Sequence, residues 1–155
     1  MLEGFIVYSL IVEWCYLGAN VNNSNLKNDY SIVKLYSYPH GRLEDTGRIF
    51  CGLMMGDFTK AGISTMFNTG TVVGVSVNVF GSGFQPKFIP SFSWGGAIDG
   101  FTTYRLDKAL YVASEAFKRR GTDFNEQEET ILKEIFNTER TTSPTNNPFS
   151  LLNDL

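Results

Sequence analysis

Histidine occurs once in this 155-residue chain, as His40, and cysteine twice, as Cys15 and Cys51. One imidazole cannot build the multi-histidine centre that a β-structured metalloenzyme needs, so metal chemistry has little support. The two cysteines stand far apart without metal-type spacing. They read as buried thiols of a reducing cytoplasm, with a disulfide as the alternative. Basic residues are also in short supply: 13 Lys and Arg face 16 Asp and Glu, for a net charge of −3, and no basic run exists. That argues against nucleic acid as a partner. Long apolar runs are missing as well. The opening MLEGFIVYSLIV is too short to span a bilayer and carries Glu3. It lacks the basic start and small-residue cleavage site of a signal peptide. The expectation is a soluble, cytoplasmic protein without a membrane partner. No Gly-x-Ser-x-Gly elbow, P-loop or dinucleotide fingerprint is found, which removes the enzyme classes built on them.

What the chain does have is a period of six. From Ile49, every sixth residue is apolar: Ile49, Met55, Ala61, Phe67, Val73 and Val79. The next column is Phe50, Gly56, Gly62, Asn68, Gly74 and Phe80, and two positions before the apolar column stand Leu53, Thr59, Thr65, Thr71 and Val77. A period of six fits neither a helix nor a simple hairpin, but it is the hexapeptide signature of a left-handed parallel β-helix. In this reading each unit makes a short strand and a corner, and Gly or Asn supplies backbone that a Cβ would penalise. The expected fold is therefore mainly β: a hexapeptide-repeat β-helix with a cap over residues 1–100, followed by two C-terminal α-helices.

Residues 5–33 read as a worn section of the same repeat, with Ile11 and Leu17 six apart. Residues 30–48 break the register and form an insertion, with SIVKLYSY as a strand and PHGR as a turn. GFQPKFIPSFSWGG suits a cap over the end of the apolar shaft, which makes Phe92 and Trp94 packing residues. A helical appendage spans 101–138. Its first helix, about Tyr104 to Arg120, places Leu106, Leu110, Ala113 and Phe117 on one face, with Gly121 as the stop. The second, about Asn125 to Asn137, opens on a capping box with Glu128 and buries Ile131, Leu132, Ile135 and Phe136. The proline-containing, aperiodic stretch 139–155 is expected to be disordered.

Few residues announce chemistry by themselves. His40 lies in a turn, where a general base or a solvated side chain is possible. Asp57 and Lys60 sit on successive corners as ligand contacts or as surface charge. The Asn-rich NVNNSNLKND, residues 20–29, suits turn capping or hydrogen bonding to a polar ligand.

Three longer stretches carry a resemblance. CGLMMGDFTKAGISTMFNTGTVVGVSVNVFGSGF, FIPSFSWGG and GFTTYRLDKA resemble the C-terminal part of a bacterial sugar nucleotidyltransferase family. Its members are variants of the bifunctional N-acetylglucosamine-1-phosphate uridyltransferase and glucosamine-1-phosphate acetyltransferase. Upstream, LGANVNNSNLKNDY is similar to the family's LGAGTNNSNLKNNY, and the similarity runs over roughly residues 3–136. It implies a homotrimeric β-helix in UDP-N-acetylglucosamine synthesis, with acetyl-CoA as donor and an amino sugar phosphate as acceptor, bound between neighbouring subunits. The amine would attack the thioester carbonyl once a base removes its proton. By position, Asn22, Asn25 and Lys27 match substrate-binding residues, while Asp57 and Val75 match acetyl-CoA contacts.

The departures bear on activity. The family's Gly-His-Glu-Gly, whose His is the presumed base, aligns with Met1-Leu2-Glu3-Gly4, and leucine takes no proton. Tyr16 replaces a sugar-contacting Asn, Asn20 replaces a corner Gly, and the nucleotidyltransferase half lies outside this chain. Three readings follow: an acyltransferase-type domain impaired by Leu2, a non-catalytic trimerisation or scaffold module, or an active transferase using Glu3 or His40 as base.

Overall fold

The computed structural model describes residues 4–142. Two-residue strands dominate: β1 Leu10–Ile11, β2 Tyr16–Leu17, β3 Asn22–Asn23, then, after a hairpin of β4 Lys34–Ser37 and β5 Arg42–Asp45, β6 Met54–Met55, β7 Lys60–Ala61, β8 Met66–Phe67, β9 Val72–Val73, β10 Asn78–Val79 and β11 Phe88–Ile89. Two four-residue strands, β12 Ser93–Gly96 and β13 Gly100–Thr103, lead into α1 Leu106–Arg119 and α2 Glu126–Thr142.

This corrects the expected left-handed parallel β-helix. The thirteen short strands fall into four small sheets of mixed direction, with orders β1-β6-β9-β11, β13-β12-β10-β7-β2, β3-β8 and β4-β5. Within the sixfold register the parallel partners lie 18 residues on, Met54 with Val72 and Lys60 with Asn78, and the pairs Leu10 with Met54, Val72 with Phe88 and Asn78 with Trp94 stay parallel across breaks in the period. Antiparallel pairs occur where it fails. The insertion folds on itself as the β4–β5 hairpin, closed through the PHGR turn, and β13 doubles back on β12 around Gly100, whose φ is +80°. A strand of two residues has too few ladder bonds to persist without neighbours.

The apolar and β-branched columns do form the main core. Leu53, Met55, Ala61, Phe67, Val73, Val77, Val79 and Ile89 are all buried and mutually packed, whereas Ile49 and Phe50 at the head of the columns are exposed. Three buried threonines share this core because their hydroxyls find carbonyls: Thr59 Oγ1 donates to Gly74 O at 2.7 Å, Thr65 to Gly62 O at 2.8 Å and Thr71 to Asn68 O at 3.0 Å. A buried hydroxyl so paired avoids the desolvation cost of an orphaned one.

The glycine column has a different cause from the one expected. Left-handed backbone recurs every six residues, but at Phe58, Ser64, Gly70 and Ser76, two positions after the column. Gly56 and Gly62 keep ordinary φ values. A Cβ on Gly56 would lie 2.8 Å from the carbonyl of Gly74, and one on Gly62 would lie 3.0 Å from the Phe80 Cβ. Close approach of stacked backbones, not corner conformation, requires glycine there.

The left-handed corners occupied by aromatics hold the helices. Trp14, Phe58 and Phe92 have φ near +60°, a cost of about 1–2 kcal/mol each. Their rings project onto the helices: Trp14 stacks on Phe117 with centroids 4.1 Å apart, and Phe92 meets Phe136 edge-on at 5.0 Å. With Ala109, Ala113 and Leu132 they form a second core. On α1, Ala113 and Phe117 are buried as expected, and Leu106 and Leu110 are partly so. On α2, Leu132 is buried but Ile131 is 55% exposed, which corrects the expected stripe. Asn125 Oδ1 accepts from the N–H groups of Gln127 and Glu128, as a cap should. The helix continues to Thr142, so residues 139–142 are helical rather than disordered; the remainder of that stretch, 143–155, lies outside the described residues. Both cysteines are free thiols, Cys51 buried and Cys15 half-buried. Among the described residues no helix is long and apolar enough to cross a membrane.

Candidate functional site

The Asn-rich segment lies in β3 and its flanks, where strand alternation sends neighbouring amides in opposite directions. Asn23 points inward and is 4% exposed. Its Oδ1 accepts from Val7 N at 2.9 Å, and its Nδ2 donates to Val7 O at 3.1 Å and Ser24 O at 3.0 Å. It fastens the preceding chain to β3. Asn22 points outward, and its Nδ2 donates to Asn20 O at 2.7 Å and Asn20 Oδ1 at 3.1 Å. Asn20 itself is left-handed, with φ +59°, and its Nδ2 donates to Ser64 Oγ at 3.1 Å. Together Asn20, Asn22 and Ser64 line a hollow of about 490 Å³, completed by Ser82 between two glycines and by Ile63 and Met66. Among the described residues no ionisable side chain lines it.

Of the three predicted substrate-binding residues, only Asn22 reaches this hollow. The Asn25 carbonyl accepts from Cys51 N at 3.0 Å, which ties the segment to the main repeat. Lys27 Nζ donates to Ser31 Oγ at 3.1 Å and Ile32 O at 3.0 Å, bracing its own loop. Ser64 and Ser82 escaped sequence reasoning. Ser64 carries a period signal, six after Phe58 and six before Gly70, but only the pairing of Asn22 with Met66 brings it beside Asn20.

The predicted cofactor contacts are also separated in role. Asp57 Oδ1 accepts from Glu13 N at 2.8 Å and its carbonyl accepts from Ser76 N. Val75 N donates to Ser91 Oγ at 3.1 Å, and Val75 lines a second, larger cleft that Asp57 does not. Lys60 Nζ donates to Phe58 O at 3.1 Å, and burial holds its pKa below the usual lysine value.

His40 stands at the tip of the β4–β5 hairpin. Ser37 Oγ lies 3.2 Å and Glu44 Oε2 2.8 Å from it, but both contact the same nitrogen, Nδ1. A nucleophile–base–acid relay needs its two partners on opposite ring nitrogens, so this trio is a hairpin clasp and not a triad. The hydrogen bond from His40 holds the Glu44 carboxyl below its ordinary pKa. Leu2 and the alternative base Glu3 lie outside the described residues. Among the described residues no three His, Cys, Asp or Glu side chains gather into a metal-holding group.

The larger cleft, about 910 Å³, has the outward side chains Leu10, Met54 and Val72 as its floor. The hairpin forms one wall, where Tyr36 stacks on Phe88 at 3.6 Å; α2 forms another through Ile135 and Glu139. Glu139 Oε1 accepts from Ser91 Oγ at 2.8 Å and from Ser91 N at 3.3 Å. Burial, with the Glu139 charge second, raises the pKa of the Tyr38 phenol beside it. Sequence reasoning missed this cleft because its floor and walls come from six separate stretches of chain. No family model matches the chain, and no curated protein matches it at a significant level.

Proposed function

We propose that this chain is an acyltransferase-type module of sugar-nucleotide metabolism that binds its acceptor more effectively than it turns it over. The observation that carries the reading is the Asn20–Asn22–Ser64 hollow, at the segment whose LGANVNNSNLKNDY resembles the family's acceptor region. The amide and hydroxyl groups of Asn20, Asn22, Ser64 and Ser82 suit the hydroxyls of a sugar ring, which are recognised by hydrogen bonds. Among the described residues the same hollow holds no group able to accept a proton from an amine, and Leu2 stands where the resembled family has histidine. Acetyl-CoA would be the donor, an amino sugar phosphate the acceptor and a homotrimer the assembly, each by resemblance. A non-catalytic assembly module is the second reading, favoured by the exposed aromatics Phe5, Tyr8 and Tyr16 in the first coils of the chain.

The test is calorimetric titration with glucosamine-1-phosphate, alongside thiol release from acetyl-CoA. The protein should bind the sugar phosphate, Asn22→Ala should weaken binding about tenfold, the loss of one or two hydrogen bonds, and turnover should be gained only on Leu2→His. Absence of binding to both ligands transfers the assignment to the assembly module. Turnover by the unaltered protein overturns the impaired-base reading.

A further inference from the structure

The larger cleft has a charge pattern that the acyltransferase reading leaves unused. Its floor is apolar, Leu10, Met54 and Val72, with Val12 at the exposed rim, and α2 brings two carboxylates to its lining, Glu134 and Glu139. Among the described residues that line it, none is Lys, Arg or His. The nearest histidine in sequence, His40, has Nδ1 engaged with Ser37 and Glu44. The arginine of α2, Arg140, lies over the Phe136 ring at 5.1 Å. The two tyrosines of the wall, Tyr36 and Tyr38, have phenols whose pKa burial raises, so they stay neutral and can donate.

We infer that this cleft binds an elongated apolar molecule ending in a protonated amine, with the chain on the Leu10–Met54–Val72 floor and the ammonium at Glu134 and Glu139. About 910 Å³ is within the range of sites that enclose small ligands. Only one oxygen of Glu139 is taken up by Ser91, and an ionised carboxylate can accept at both. An ammonium next to apolar walls is held more strongly than in open water, because the local dielectric is lower. A fatty acid or a phosphorylated ligand would instead meet two carboxylates and no cation. The inference is independent of the acceptor hollow: an amino sugar phosphate is too polar for this floor and carries the wrong charge for these walls.

The experiment is competition by dodecylamine, dodecanol and dodecanoic acid, each below its micelle concentration, against a neutral fluorescent apolar dye bound to the full chain. Dodecylamine should compete best and dodecanoic acid at least about tenfold more weakly, the usual worth of one charge-assisted contact. Glu134→Gln, at an exposed position, should narrow that ratio, and Glu134→Gln with Glu139→Gln should bring it to about threefold or less. Val12→Trp, at the exposed rim, should weaken all three competitors while far-UV circular dichroism stays unchanged. Equal competition by amine and acid, or a preference for the acid, overturns the charge assignment. Binding untouched by Val12→Trp overturns the cleft assignment.

Discussion

Leu10 and Phe88 stand in the same outward row of one parallel sheet, Leu10–Met54–Val72–Phe88, yet Leu10 is 58% exposed and Phe88 is 2% exposed. The inward row behaves more evenly: Met55, Val73 and Ile89 are buried, and Ile11 is partly so. The difference separates two regions with the same local geometry. Pairing does not separate them, since β1 and β11 are the two edge strands of this sheet; Phe88, in the region 51–96, is covered by the hairpin, where Tyr36 stacks on it at 3.6 Å and Tyr38 meets it edge-on at 5.6 Å. Leu10, in the region 5–26, forms part of the open floor of the larger cleft. Strand type therefore decides which residues point inward, while neighbours decide how much that direction is worth.

Substitutions can sharpen or break this contrast. The largest effect belongs to Phe67→Ala, which empties a fully buried site and should cost about 3–5 kcal/mol. Leu17→Ala, in the half-buried strip, should cost about half as much by the same reasoning. Equal shifts of the urea midpoint would remove the distinction between the regions. Next, Gly56→Val should cost about 3 kcal/mol through overpacking against the Gly74 backbone. Gly47→Ala, at φ +69° with nothing within 4 Å, should cost only the left-handed penalty of about 1 kcal/mol.

Asn23→Ala should cost about 1–3 kcal/mol by leaving the Val7 amide and carbonyl without their partner. Hydrogen exchange should accelerate around Val7 and leave Met55–Val79 protected. Acceleration of both together would mean that the two regions open as one unit. The smallest effect is a pH dependence at the hairpin. The folded pKa of Glu44 is below its ordinary 4.5, so its clasp with His40 is present above that value and is lost as pH falls through the folded one. Because the carboxyl is exposed, added salt should weaken the effect. His40→Ala should return the Glu44 titration toward 4.5 in an NMR titration of the carboxyl.

The legible part of the fold was periodic or capped. The apolar column from Met55 to Val79, the PHGR hairpin turn, the Asn125 cap and the Ala113–Phe117 face of α1 each follow from a local rule that their residues satisfy without help. The expected single β-helix did not follow, because the period lapses at the insertion and again beyond Gly83. The insertion pairs antiparallel with itself and β13 with β12, while β11 and β12 keep parallel partners in the repeat. The glycine column was visible, but its reason was hidden, since the backbone it must admit belongs to a strand 18 residues away. The site was less legible still. Asn22 was readable, while Ser64 and Ser82 join it only through strand stacking, and Glu139 meets Ser91 across 48 residues.

The sequence alone determined which side chains avoid water along the repeat, where helices begin, and that Leu2 supplies no base where the resemblance calls for one. These are properties of single residues and of spacing along the chain. Tertiary structure decided the rest: the four-sheet arrangement, the close backbone approach that demands Gly56, the aromatic corners that hold α1 and α2, and the cleft between the hairpin and α2. Each depends on which distant segments share a neighbour, and burial and charge act through space without regard to separation in sequence.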